Sequence, residues 1–269
     1  MANNISEGML HIGNIHMRYV RFGKGSSDLI VLQGLNTNGL EGKAALLART
    51  YRDFAEKYTV TVIDRREEVT KEITVRQMAA DTALAMDELK IRNADILGIS
   101  QGGMIAQCLA IDRPELVHKL VLTVTTSRNN PTGQQVTEYW AKLTEEKRFE
   151  ELFADMAEKV YSEAFFEKMK PLLPMLTAAQ TPKNADRFVF LTRACFFDIY
   201  EELDKIKCPV FVIGGEKDKV LTGNASLEIA QKLGCELYMY ENLGHAVNDE
   251  AKDFNKRVLD FLCREEKPA

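Results

Sequence analysis

Apolar runs alternating with amphipathic stretches dominate the chain and predict a layered α/β structure. Met9 to Phe22 alternates loosely around Ile12-Gly13-Asn14, the pattern of an opening hairpin. Asp28 to Gln33 and Thr59 to Asp64 are short apolar or β-branched runs of the kind found in strands buried on both faces. Glu41 to Tyr58, between them, reads as a helix. Thr74 to Lys90 sets Val75, Met78, Ala79, Thr82, Met86 and Leu89 at helical spacing, with Thr74 placed to cap the start. A strand at Ala94–Ile99, a helix at Gly102–Asp112 and a strand at Lys119–Val124 continue the rhythm. Alternation of this kind predicts a mostly parallel sheet with right-handed crossovers.

The rhythm breaks after Thr125. From Thr126 to about Leu203 there is no run of buried-strand character. Helix-forming, charged and aromatic segments follow one another, with Pro171, Pro174 and Pro182 between them. Strand and helix then resume at Pro209–Ile213, Ala225–Leu233, Glu236–Tyr240 and Glu250–Cys263. The pattern therefore divides into a sheet domain, residues 1–125 and 204–269, and a helical insertion over 126–203. At roughly eighty residues the insertion exceeds an ordinary loop and reads as a functional cap or lid.

Composition narrows the function classes. The 269 residues suit one large domain, and 45% hydrophobic with 28% charged residues is ordinary for a soluble protein. A net charge of −5 with no basic stripe argues against a nucleic-acid partner. No secretory signal and no membrane span is expected. The five cysteines are scattered, with no C-x-x-C pair, and read as free thiols in a reducing, cytoplasmic setting rather than a metal site or disulfide framework.

The chemistry concentrates at Gly98-Ile-Ser100-Gln-Gly-Gly, where a predicted strand turns directly into a predicted helix. This is G-x-S-x-G in the setting that gives it meaning: a serine at a sharp, strained turn, with glycines where side chains would collide. A serine hydroxyl needs a base, and the base needs an orienting carboxylate. Of the four histidines, His11 and His16 fall in the hairpin and His118 precedes a strand. His245 follows the last strand, on the sheet edge where open α/β folds build their sites. The acid belongs on another loop of that edge. In Gly214-Gly-Glu-Lys-Asp218 the choice is Asp218, with Glu216 as the alternative.

Taken together, Gly98-Ile-Ser100-Gln-Gly-Gly, Gly214-Gly-Glu-Lys-Asp218, Gly244-His245, the Asp64-Arg65 strand end and Arg113-Pro114-Glu115 resemble the α/β-hydrolase superfamily over nearly the whole chain. The resemblance implies a helical cap and a Ser100–Asp218–His245 triad. It also implies an oxyanion hole of two backbone N–H groups, those of Leu35 and Gln101. Two loops depart from the family pattern. Gln33-Gly34-Leu35-Asn36 stands where His-Gly usually opens the loop, and Arg65-Arg-Glu-Glu-Val replaces a run of glycines and a serine.

The expected activity is hydrolysis of a small, hydrophobic ester, thioester or lactone through an acyl-enzyme on Ser100, with a small-molecule substrate and neither metal nor organic cofactor. The oligomeric state, monomer or homodimer, stays open. Other triad chemistry stays open too: aminopeptidase, carbon–carbon bond hydrolase, lyase or cofactor-free haloperoxidase. So does a non-catalytic ligand-binding protein. Eight of the thirteen phenylalanines fall in the insertion, together with Tyr139 and Trp140. Most are expected to pack it onto the sheet, and a few to line an apolar pocket.

Overall fold

The computed structural model describes residues 5–265. Eight strands form one sheet: β1 (Ser6–Ile12), β2 (Ile15–Gly23), β3 (Ser27–Leu32), β4 (Tyr58–Ile63), β5 (Ala94–Ile99), β6 (Val117–Thr123), β7 (Val210–Gly215) and β8 (Glu236–Tyr240). Their spatial order is β1-β2-β4-β3-β5-β6-β7-β8. The hairpin pairs antiparallel, β2 pairs antiparallel with β4, and every pairing from β4 to β8 is parallel.

The period of two along each strand explains why the central strands read as unbroken apolar runs. On β3, Leu29 and Val31 face one layer while Ile30 and Leu32 face the other, and all four are buried. One face packs against α2 (Val75–Glu88) and α3 (Gln101–Asp112), which follow α1 (Ala44–Thr50) in the chain. The opposite face carries α1. Helix α2 starts where the pattern placed it. Thr74 accepts from the Gln77 amide and the Gln77 side chain accepts from the Thr74 amide, a complete capping box. Thr74→Ala is expected to cost about 1 kcal/mol, read as a lower urea midpoint at unchanged slope.

Between β6 and β7 the chain forms α4 (Pro131–Glu145), α5 (Phe149–Val160), α6 (Glu163–Met169), α7 (Leu173–Gln180) and α8 (Ala185–Arg193). Helix α9 (Gly223–Leu233) joins β7 to β8, and α10 (Val247–Glu250) and α11 (Phe254–Leu262) close the fold. Two helices differ from expectation. The one expected over 41–58 is confined to α1, and a series of tight turns follows it. Those turns let Tyr58 leave the helical path and open β4 beside Ser27, with Tyr51, Phe54 and Tyr58 all buried in the core. The closing helix is broken at Ala251, whose extended backbone ends α10 before Phe254 restarts the helix against the sheet.

Candidate active site

Three loops at the C-terminal edge of the parallel strands converge on one point. The first leaves β5. Ser100 has φ 52° and ψ −119°, a conformation that costs a non-glycine residue free energy and persists only when its surroundings hold it. They do: the Ser100 amide donates to the Thr123 carbonyl at 2.8 Å, and Thr125 Oγ1 donates to the Ser100 carbonyl at 2.7 Å. The flanking glycines are required by space. A Cβ at Gly98 would lie 2.7 Å from the Gly103 Cα, and one at Gly102 would overlap the Leu32 carbonyl of the neighbouring strand. Gly102→Ala is therefore expected to destabilise the fold by about 3 kcal/mol in urea unfolding. A change below about 0.5 kcal/mol would mean that the two backbones do not need this close approach.

The second and third loops leave β7 and β8. They touch through backbone: a Cβ at Gly215 would overlap the Gly244 carbonyl, and the Lys217 amide donates to Leu243 O at 3.0 Å. This contact sets Asp218 beside His245. Asp218 Oδ2 lies 2.8 Å from His245 Nδ1, and His245 Nε2 lies 2.9 Å from Ser100 Oγ. The other Asp218 oxygen accepts from the amides of Val220 and Leu221 at 2.7 and 3.0 Å, so the carboxylate cannot swing away without losing three partners. Asp218 and His245 are both buried. Glu216, the alternative acid, points to solvent. The remaining histidines lie elsewhere: His118 meets Asp95 at the start of β6, and His11 and His16 meet edge to face in the hairpin.

The loop after β3 passes directly over the serine, with Gly34 positioned so that a Cβ would be 3.3 Å from Ser100 Cβ. Neither the Leu35 nor the Gln101 amide has a hydrogen-bond partner among the described residues. Gln101 opens α3, where the first N–H groups of a helix are unused. Its side chain is turned away from the site and donates to the Leu191 carbonyl at 2.6 Å.

The two loops that depart from the family pattern meet each other. Arg65 is buried beneath the β3 loop, and its Nη2 donates to the Gln33 carbonyl at 2.5 Å. Burial pulls its pKa down to about 10, against the attraction of Asp64. Arg187, from α8, donates to the Arg65 carbonyl at 3.1 Å and lies 3.7 Å from Asp64. Sequence reasoning missed this support. Its only trace was the pair of basic residues where smaller ones are usual; Arg66 pairs with Asp81 of α2, whereas Arg65 is held from α8, 122 residues away.

Ser100 and His245 open into a cavity of about 720 Å³. Its apolar wall includes Leu47, Trp140, Phe153, Met156, Leu176 and Leu221, so α4, α5 and α7 supply much of it. The Ala246 amide donates to Val160 O at 2.9 Å, tying the histidine loop to the end of α5. Of the eight phenylalanines in the inserted segment only Phe153 lines the cavity; Phe188 is buried in the core and Phe196 is exposed. Among the described residues no cluster of three or more His, Cys, Asp or Glu could hold a metal, and no helix is long and apolar enough to cross a membrane.

Residues 48–252 match the family model described as alpha/beta hydrolase fold. The chain is 25% identical over 239 residues to a RutD protein of Rhizobium rhizogenes, provisionally named a carbamate hydrolase, covering 84% of this chain and 90% of that one. It is 24% identical over 215 residues to 3-oxoadipate enol-lactonase 2 of Acinetobacter baylyi, covering 78% of each. Among solved structures, the alpha/beta hydrolase MGS-M2 from a Medee basin deep-sea metagenome library superimposes with a TM-score of 0.84 at 22% identity, over 97% of this chain and 99% of that one. With the matched model spanning most of its length, the chain belongs to the α/β-hydrolase fold family.

Proposed function

We propose that this protein is a serine hydrolase that cleaves a small, mainly apolar ester, thioester or lactone through an acyl-enzyme on Ser100. The observation that carries the reading is the hydrogen-bonded series Ser100 Oγ–His245 Nε2–His245 Nδ1–Asp218 Oδ2, with links of 2.9 and 2.8 Å, opening into a cavity. In this scheme Ser100 donates its proton to His245 Nε2 as Oγ attacks the carbonyl carbon. His245 Nδ1–H donates to Asp218, which fixes the tautomer and stabilises the imidazolium as it forms. The Leu35 and Gln101 amides receive the developing oxyanion, and each such donor typically lowers the barrier by about 3 kcal/mol. His245 returns the proton to the leaving alkoxide or thiolate. It then activates water to release the acid.

The inserted helices act as a cap that supplies the apolar wall and keeps bulk water from the acyl-enzyme. The cavity size suits a ligand of metabolite dimensions. Rapid acid quenching of a reaction with p-nitrophenyl esters of increasing chain length, read by intact mass, tests the proposal. Wild type is expected to carry one acyl group, and His245→Ala none. Turnover without any acylated species, at every chain length, would point to direct water attack instead.

A further inference from the structure

Five side chains of the carboxylate, lysine and histidine types line the cavity: Glu41, Lys43, Lys183, His245 and Asp249. Four of them have partners. Lys183 Nζ donates to Glu41 Oε2 at 2.8 Å, and His245 meets Asp218. Asp249 accepts from Asn248 Nδ2 at 2.7 Å and from the Tyr161 hydroxyl at 3.4 Å. The Lys43 ammonium has neither an ion pair nor a hydrogen bond among the described residues. Asp64 is the acidic group whose field reaches it, and that carboxylate is already occupied by the Leu40 and Arg65 amides and faces Arg187. Lys43 is half-buried, and burial holds its pKa below the ordinary lysine value. It immediately precedes α1, one and two helical turns ahead of Leu47 and Tyr51 in the same cavity wall.

A partly desolvated cation without a counter-ion is unfavourable, and a ligand anion arriving there recovers the loss. One free ammonium suits a single carboxylate better than a phosphate dianion, because Lys183 is taken by Glu41. Asp249, beside the histidine loop, repels an anion and so disfavours the reversed orientation. We propose that Lys43 binds a carboxylate on the substrate, and that the substrate class is a small ester or lactone carrying a second, free carboxylate. This rests on the assignment of Ser100 as nucleophile. The apolar wall takes the carbon chain between the two ends.

The test compares p-nitrophenyl half-esters of succinic, glutaric, adipic and pimelic acids with their methyl-capped counterparts. The readout is the ratio of the two kcat/KM values within each protein, so a general loss of activity cancels. Wild type is expected to favour the half-ester at one chain length or more by about tenfold. Lys43→Met is expected to abolish that preference, and Lys43→Arg to retain most of it. A ratio near one at every length in wild type, or an unchanged ratio in Lys43→Met, would overturn the proposal. If neither ester is turned over, the nucleophile assignment fails and Lys43 is read by binding alone. Calorimetry with the methyl half-esters then compares Ser100→Ala with Ser100→Ala/Lys43→Met. Tighter binding to the first supports the carboxylate site; equal or no binding to both rejects it.

Discussion

Ser100→Ala is expected to lower kcat by about 10⁶-fold. The fold should be unaffected, because the bonds that hold the turn use the Ser100 amide and carbonyl and not its hydroxyl. What remains in the variant is the cavity, the amides of Leu35 and Gln101, which have no partner among the described residues, and the His245–Asp218 pair. Such a remainder supports a small residual rate, on the order of 10³-fold over water. The measurement is kcat on the best ester found, with urea unfolding as the control for fold. A loss below about tenfold would show that Ser100 is not the attacking group.

Asp218→Asn is expected to lower kcat by about 10⁴-fold. The side chain sits between two kinds of partner. The Val220 and Leu221 amides require an acceptor, so the asparagine oxygen is drawn to them. Its NH₂ group then faces His245 Nδ1, which must present a lone pair to it. The histidine proton moves to Nε2, and the nitrogen 2.9 Å from Ser100 Oγ can no longer accept the serine proton. Because the loop keeps its amide contacts, the loss should fall on kcat with little change in KM. An equal fall in stability and activity would instead mark Asp218 as a structural residue.

The site was legible in the sequence to the extent that its parts are local. Gly98, Ser100 and Gly102 announce the elbow because one strained turn and two close backbone approaches dictate all three residues, and the strand and helix around them have clear periodicity. That His245 and Asp218 lie together could be expected because each follows a strand, and strand ends of a parallel sheet share one edge. Where the outcome depended on distant packing, the sequence was mute. The β3 loop is supported by Arg65, itself held by Arg187 from the inserted helices, and nothing in the local pattern pairs them. The aromatic content of the insertion was visible, but only the packing of α4, α5 and α7 selects Trp140 and Phe153 for the cavity and leaves Phe188 to the core. Lys43 fell inside the helix expected over 41–58 and carried no local signal, since its lack of a partner among the described residues emerges only once the other charges lining the cavity are matched. Residues 41–58 misled because their apolar spacing, Tyr51, Phe54 and Tyr58 included, is helical; what ends the helix is the long-range pairing of Tyr58 with Ser27 as β4 begins, which no local pattern shows.

The central claim is that Ser100 is an activated nucleophile, and labelling with a fluorophosphonate tests it most directly. Intact mass and peptide mapping should show a single adduct on Ser100, absent in Ser100→Ala and strongly slowed in His245→Ala. Folded protein that takes no adduct under prolonged excess, or takes it equally in Ser100→Ala, would contradict the account.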